Sequence, residues 1–293
     1  MTALRLHDDE FVTDAATVRA LLAGQFPRWA ELPLVRIGLA GTMNQLYRLG
    51  EDLLVRLPRR ADAVEQLYFE RDQLPRLAPH LPVRVPEQLA LGRPDDGYPH
   101  PWAVYRYVDG DHPSVDDPDG DALAEDLAAF LLATRALDPT GARAGYRTGP
   151  LSDRDDYVRE WAVKADGIVD AAAVLRLWDE ALAAPAWSGG PVWAHSDLMP
   201  GNLLVREGRL AAVLDFGAAG VGDPACDLTV AWDSLPARSR RRFRDAAGLD
   251  EAAWARARGW AMTWVGGIAY YRGTNPALSA RGERALNEIL AEA

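Results

Sequence analysis

One short run constrains this chain more than any other: His195-Ser196-Asp197-Leu198-Met199-Pro200-Gly201-Asn202, followed 13 residues after Asn202 by Asp215-Phe216-Gly217. The apolar segments around it indicate how it folds. Pro191-Val192-Trp193-Ala194 reads as a short buried strand entering a loop, and Asn202-Leu203-Leu204-Val205 as the strand leaving it. Glu207-Gly208-Arg209 turns the chain, and Leu210-Ala211-Ala212-Val213-Leu214 returns as a hairpin partner, expected to deliver Asp215 beside Asn202. Asp and Asn are common turn residues in their own right. Both halves in this order, with a hairpin between them, nevertheless put two carboxylates and an amide oxygen on neighbouring loops.

That set suits the transfer of a phosphoryl group from a nucleotide to a hydroxyl. The transition state is loose and spreads charge over its oxygens, so the protein mainly positions reactants and neutralises charge. Mg2+ takes oxygen ligands and keeps several waters, which makes Asn202 and Asp215 the expected metal ligands. Asp197 is the expected catalytic base, accepting a hydrogen bond from the acceptor hydroxyl and taking its proton, a role typically contributing ~10²–10⁴ in rate. His195 is expected to be scaffolding. Asp227 is expected to hold backbone amides of the catalytic loop, and Asp223 to organise a Gly-Asp-Pro turn.

Together with Gly222-Asp223-Pro224-Ala225-Cys226-Asp227-Leu228, these motifs resemble the aminoglycoside phosphotransferase family. The likeness extends to the amino-terminal half through Gly41-Thr42-Met43-Asn44-Gln45-Leu46-Tyr47-Arg48 and Leu53-Leu54-Val55-Arg56-Leu57-Pro58. The resemblance implies an α+β, bilobal, protein-kinase-like fold. A small antiparallel-sheet N-lobe over residues 1–105 would cover the nucleotide phosphates, and a mainly helical C-lobe over 106–293 would carry the hinge, the catalytic and metal loops and the acceptor-binding helices. ATP or GTP would be the donor. Gly41, Thr42 and Met43 would approach its phosphates. Arg56 would stand where kinase-like folds use a basic strand residue, held by Glu70 with Glu65 as the fallback, and backbone groups of Arg106, Tyr107 and Val108 would meet the base. The chain has a single lysine, Lys164, so an arginine must serve on that strand. Ser196 is a departure, since the family more often has Gly there.

Charge and composition exclude some partners. The net charge of −11 disfavours nucleic acid and anionic membranes and would attract a cationic acceptor. Cys226 is the sole cysteine, so no intramolecular disulfide forms, and it reads as a small buried residue. Met1 to Glu10 lacks the apolar centre of a signal peptide, and Trp260 to Tyr271 is too short to span a bilayer. A cytoplasmic location is the expectation.

Periodicity predicts a helix capped by Asp14 and running to Leu22, strands over Leu34–Leu39, Gln45–Leu49 and Leu53–Leu57, and a helix over Ala61–Leu77. Two more strands follow at Leu89–Gly92 and Trp102–Val108. Helices are expected from Asp119 onward, then over 157–168, 172–183, 228–235, 250–271 and 281–290. For the acceptor, a family-type aminoglycoside would need carboxylates, available at Asp153, Asp155, Asp156, Glu160, Asp233, Glu288 and Glu292. Trp254, Trp260, Trp264, Tyr270 and Tyr271 offer either a macrolide-sized apolar pocket or, where they share a helix face, core. The first reading is an aminoglycoside kinase. The alternatives are a macrolide kinase, a metabolic kinase of the choline, homoserine or amino-sugar type, and a catalytically silent nucleotide-binding module. A protein kinase is disfavoured, because no Ala-Pro-Glu segment follows Asp215-Phe216-Gly217.

Overall fold

The computed structural model describes residues 10–37, 43–117 and 120–292. It divides into two compact units, the first comprising Met1–Pro79, Arg84–Gly110 and Ala212–Gly217, the second His80–Val83, Asp111–Ala211 and Ala218–Ala293. Gly41 and Thr42 lie outside the described residues.

In the first unit, α1 (Ala15–Gln25) starts at Asp14, whose carboxylate accepts from the Thr17 amide at 2.8 Å. It buries Val18, Leu21 and Leu22, one face at three- and four-residue steps. Strands β1 (Leu34–Arg36), β2 (Asn44–Leu49) and β3 (Leu53–Pro58) precede α2 (Val64–Leu77), and β4 (Gln88–Gly92) and β5 (Trp102–Arg106) follow it. They form one antiparallel sheet in the order β1-β2-β3-β5-β4. Alternation along the strands divides the two faces. Val55 and Leu57 of β3 join Trp102 and Val104 of β5 in a core with α1, whereas Ala103 and Tyr105 pack with Leu67 of α2. Arg56 lies between Val55 and Leu57 and opposite Ala103, so the pleat turns it to the α2 side.

The second unit is mainly helical. Its elements are α3 (Asp121–Arg135), α4 (Asp155–Lys164), α5 (Ala171–Ala183), β6 (Val192–Ala194), β7 (Leu203–Arg206), β8 (Arg209–Val213, which ends in the first unit), β9 (Gly220–Gly222), α6 (Val230–Ser234), α7 (Ala237–Ala247), α8 (Glu251–Met262), α9 (Trp264–Tyr271) and α10 (Pro276–Glu292). The turn between β7 and β8 is Glu207-Gly208, both with positive φ (53° and 73°), as a tight hairpin requires. β9 pairs with β6, a strand too short and glycine-rich to announce itself in sequence.

Three helical expectations need correction. No helix was expected over α7, because Ala237–Ala247 carries five arginines. Its apolar stripe is reduced to Phe243 and Ala247, while the arginines find carboxylates: Arg242 meets Asp121 and Glu125, and Arg240 meets Glu288 and Glu292. The helix expected over 250–271 is two helices broken at Thr263, whose hydroxyl donates to the Trp260 carbonyl at 2.6 Å and competes with the helical ladder. The helix expected over 157–168 stops at Lys164, before Gly167 adopts φ 81°.

Candidate active site

In the second unit the loop after β6 is fixed by one buried carboxylate. Asp227, 2% exposed, accepts from the backbone amides of His195 (2.7 Å) and Ser196 (2.8 Å). Burial pushes its carboxyl above the ordinary value, and the neighbouring His195 and the two amides oppose that rise. Ser196 has φ 67°, a left-handed conformation that a glycine would adopt without strain. The two amides on Asp227 are what hold the serine there. His195 is fully buried, and its Nδ1 accepts from the Asp197 amide at 3.3 Å.

This turn projects Asp197 into a half-open position. Its side chain is 31% exposed, Oδ2 accepts from Asn202 Nδ2 at 3.3 Å, and Oδ1 pairs with Arg147 Nη1 at 3.2 Å. Asn202 also donates through Nδ2 to the Asp197 carbonyl (2.9 Å), so its amide is oriented nitrogen inward. The single turn Pro200–Asn202 closes with the Asn202 amide on the Met199 carbonyl at 2.8 Å. His195, Asp197, Asn202 and Asp227 thus form one cluster. Arg147 joins it from the polar connection before α4, where the sequence carries no motif to mark it.

The first unit holds a second charged centre. Arg56 Nη1 donates to both Glu70 oxygens (3.1 and 3.0 Å), and Nη2 donates to Gln66 Oε1 (2.8 Å) and Asp215 Oδ1 (3.4 Å). The Asn44 amide completes the cage, its oxygen accepting from Arg56 Nε and Nη2 at 3.1 and 3.0 Å in the orientation that satisfies both groups. Burial works against the guanidinium charge, yet Glu70 and Asp215 raise its pKa above the ordinary arginine value. Glu70 further accepts from the Tyr105 hydroxyl (2.6 Å) and the Phe216 amide (3.2 Å), which ties α2 to the Asp215-Phe216-Gly217 segment. A Cβ on Gly217 would sit 2.4 Å from Gln66 Cγ, so the close approach needs glycine. Asp215 has φ 60° and a side chain one-third exposed. Arg56, Glu70 and Asp215 are therefore together, with Gln66, Asn44 and Tyr105 as partners that sequence reading had not singled out for this centre.

Met43, at the entry to β2, accepts from the Arg59 amide through its carbonyl (2.8 Å). Beyond β5, the Arg106 amide donates to the Glu87 carbonyl (2.9 Å) and the Tyr107 amide to the Asp52 carbonyl (2.7 Å). Of the three connector amides, only that of Val108 has no acceptor among the described residues. The Arg106 side chain pairs with Glu87 at the surface, and Arg48 lies over the Tyr107 ring at 3.8 Å.

Several carboxylates proposed for the acceptor are already engaged. Asp155 binds Arg159 and the Trp178 indole, Glu160 binds Lys164, and Glu288 and Glu292 bind Arg240. Asp153 and Asp156 are exposed. Asp233 is 7% exposed, hydrogen-bonded to Ser234 Oγ, and pushed up to about 7 by burial. Trp254 and Trp260 are core residues, Trp254 packing edge-on against Trp232 and Phe243. Among the described residues no group of three His, Cys, Asp or Glu side chains is poised to hold a metal, and no helix is long and apolar enough to cross a membrane. Cys226 is buried, and burial pushes its thiol well up.

The model of the phosphotransferase enzyme family matches residues 35–260. The chain belongs to that family. Among curated proteins, the phosphotransferase is 27% identical over 223 residues to the uncharacterized protein YcbJ of Bacillus subtilis, covering 68% of this chain and 70% of that one. It is 25% identical over 142 residues to an aminoglycoside 3'-phosphotransferase of Escherichia coli, covering 43% of this chain and about half of that relative (49%). Its fold matches the GDP and kanamycin complex of APH(2")-IIIa with a TM-score of 0.76 at 20% identity, over 94% of this chain and 98% of that one. It also matches macrolide 2'-phosphotransferase MphH from Brachybacterium faecium, with a TM-score of 0.61 at 24% identity, over the same shares of each chain. The phosphotransferase therefore has the α+β, protein-kinase-like fold, and its reaction is phosphoryl transfer to an alcohol group.

Proposed function

We propose that this phosphotransferase moves the γ-phosphoryl group of ATP or GTP to a hydroxyl of an antibiotic-type small molecule, with Asp197 as the general base. The observation that carries this reading is the Asp197 carboxylate, accessible yet oriented by Asn202 and Arg147 on a loop pinned by Asp227. A base must be both held and reachable, and this one is. In the same reading residues 1–105 cover the nucleotide phosphates, and 106–293 carry the hinge, the catalytic and metal loops and the acceptor-binding helices. Arg56, fixed by Glu70, neutralises phosphate charge; Met43, together with Gly41 and Thr42, which lie outside the described residues, would meet the phosphates; and the connector of Arg106, Tyr107 and Val108 offers the Val108 amide to the base. Asn202 and Asp215 would hold Mg2+. The donor types fit, since Asn202 uses its nitrogen within the chain and keeps Oδ1 for a ligand, and the Asp215 carboxylate is one-third exposed. When bound, the ion would supply neutralisation of the phosphate oxygens.

Relatives of the same fold bound to GDP, ADP or ATP support a nucleotide donor, and those bound to kanamycin, streptomycin or gentamicin support an aminoglycoside acceptor. A specific observation favours the second reading, a macrolide-type acceptor with few ammonium groups: four of the carboxylates suited to ammonium groups are occupied by Arg or Lys side chains. The decisive experiment is Asp197→Asn, assayed by the mass gained by the acceptor and by nucleotide titration. Turnover should fall ~10²–10⁴ with nucleotide affinity within about twofold of wild type. An equal loss of nucleotide affinity would remove Asp197 from the role of base.

A further inference from the structure

The guanidinium on Asp197 is delivered by a strap built for the purpose of holding it. Residues 143–148 lie along the segment 218–223 through a series of short bonds. The Tyr146 amide donates to the Ala218 carbonyl (3.0 Å), the Val221 amide to the Arg143 carbonyl (2.8 Å), Thr148 Oγ1 to the Val221 carbonyl (2.8 Å), and the Asp223 amide to the Thr148 carbonyl (3.0 Å). Glycines make the approach possible: a Cβ on Gly220 would lie 2.5 Å from the Gly145 nitrogen, and one on Gly145 would lie 2.5 Å from Ser196 Oγ. The strap is thus wedged against the catalytic loop itself. Its next residue, Arg147, keeps a partly open side chain (26%) and reaches Asp197.

The surroundings of that pair are cationic and aromatic. Tyr146 is 61% exposed and lies beneath both Arg147 (5.7 Å) and Arg154 (5.0 Å). Tyr157, also exposed, has Tyr146, Arg147, Arg154 and Tyr271 near enough to act on its hydroxyl. Asp233, the carboxylate close enough to feel Asp197, is buried and also feels Arg147 and Arg281. Within 4 Å the charged partner of the Asp197 carboxylate among the described residues is the Arg147 guanidinium, the reverse of what an oligo-ammonium sugar would require there.

We propose that Arg147 determines acceptor specificity: it rejects an ammonium group beside the reacting hydroxyl and admits a neutral or anionic, oxygen-rich neighbour, while Tyr146 and Tyr157 cover the acceptor's apolar face. This rests on the reading of Asp197 as the base that receives the acceptor hydroxyl. The local charge here overrides the attraction that the overall charge of −11 would exert, because Coulomb interaction at about 4–5 Å exceeds a screened field from distant surface charges.

The test is a matched pair of probes, kanamycin and its fully N-acetylated form, which share hydroxyls and differ in charge. Each is titrated against the full chain by calorimetry and assayed for phosphoryl transfer with ATP and GTP. Wild type should favour the acetylated form by about tenfold or more. R147E should reverse the order, and R147K should keep it. R147Q, of nearly neutral volume change, should abolish the preference and guards against a folding defect in R147E, with circular dichroism as the check. A wild-type preference for free kanamycin, an order unchanged by R147E and R147Q, or no binding of either probe to any of these proteins would each overturn the proposal. Arg147-dependent selective binding together with wild-type turnover in Asp197→Asn would remove the reading of Asp197 as base and leave the specificity assignment standing. Transfer without Arg147-dependent selectivity would do the reverse.

Discussion

Each unit contains one arginine set against the carboxylates of the motif, and the two arginines are held in opposite ways. Arg56 is caged: its side chain is 8% exposed, Glu70 takes it with both oxygens, and Gln66, Asn44 and Asp215 take the remainder. Arg147 touches Asp197 through one 3.2 Å pair and stays a quarter exposed. A buried guanidinium needs its partners simply to remain in the fold, because the desolvation of an unpaired ion exceeds most other local terms. A half-exposed one can lose its partner to a ligand at little cost to stability. The first arrangement therefore fixes a charge in place, and the second leaves one available for exchange.

The strongest way to break this contrast is Glu70→Ala. It would strand the Arg56 guanidinium and leave the Tyr105 hydroxyl and the Phe216 amide without their acceptor. We expect a loss of about 3–5 kcal/mol of stability, read as a shift of the urea midpoint. Glu70→Gln keeps the volume and an acceptor oxygen and should lose less. Equal stability of Glu70→Ala and wild type would show that the cage is not structural.

How much of this was legible beforehand follows the same division. Period two and period 3.6 placed the strand around Arg56 and the helix around Glu70, whereas the pairing of those two residues, and the preference for Glu70 over Glu65, came from the resemblance to the family. The hairpin between the two motifs was equally readable from Glu207-Gly208 and the apolar runs beside it. Arg147 was not readable. It sits in an irregular strap whose path depends on close approaches at Gly145 and Gly220, and a glycine's neighbours across space leave no trace in its own sequence. α7 was missed because charge pairing rather than an apolar stripe holds it, and the split at Thr263 because one hydroxyl interrupts an otherwise continuous pattern. The partners that occupy Glu288 and Glu292 come from 48 or more residues away along the chain, so a count of available carboxylates overstated how many remain available.

Asp233 sharpens the comparison from the carboxylate side. Like Glu70 it is buried, but its hydrogen bond comes from Ser234 Oγ, and it has no ion pair within 4 Å among the described residues. Burial lifts its pKa from 3.8 to about 7, with Arg281 and Ser234 pulling the other way. Between those values the folded chain retains a proton that the unfolded chain has released. The group's contribution to stability is therefore complete below about pH 4, declines as pH rises through about 7, and is constant above that. Asp233→Asn has no proton to lose, so its stability relative to wild type should improve from pH 4 to pH 8, by on the order of 3–4 kcal/mol at ~1.4 kcal/mol per unit. Urea midpoints of both proteins at pH 4 and pH 8 supply the check. A difference independent of pH would mean that Asp233 is ionised throughout.

The smallest expected effect is the one that separates the two centres most cleanly. Arg147→Ala removes a single partly exposed ion pair whose partner, Asp197, remains accessible to water and to Asn202 Nδ2. Exposed pairs of this kind contribute ~0.2–1 kcal/mol, and the strap's anchoring bonds are made by the backbone, by Thr148 and by the Arg143 side chain rather than by Arg147, so the backbone of residues 143–148 should stay in place. The urea midpoint should therefore move little, in contrast to Glu70→Ala, while acceptor preference changes. A loss of stability approaching that of Glu70→Ala would place Arg147 among the caged residues and make its pairing with Asp197 a matter of folding, since a group the fold depends on cannot also be exchanged for an acceptor at every turnover.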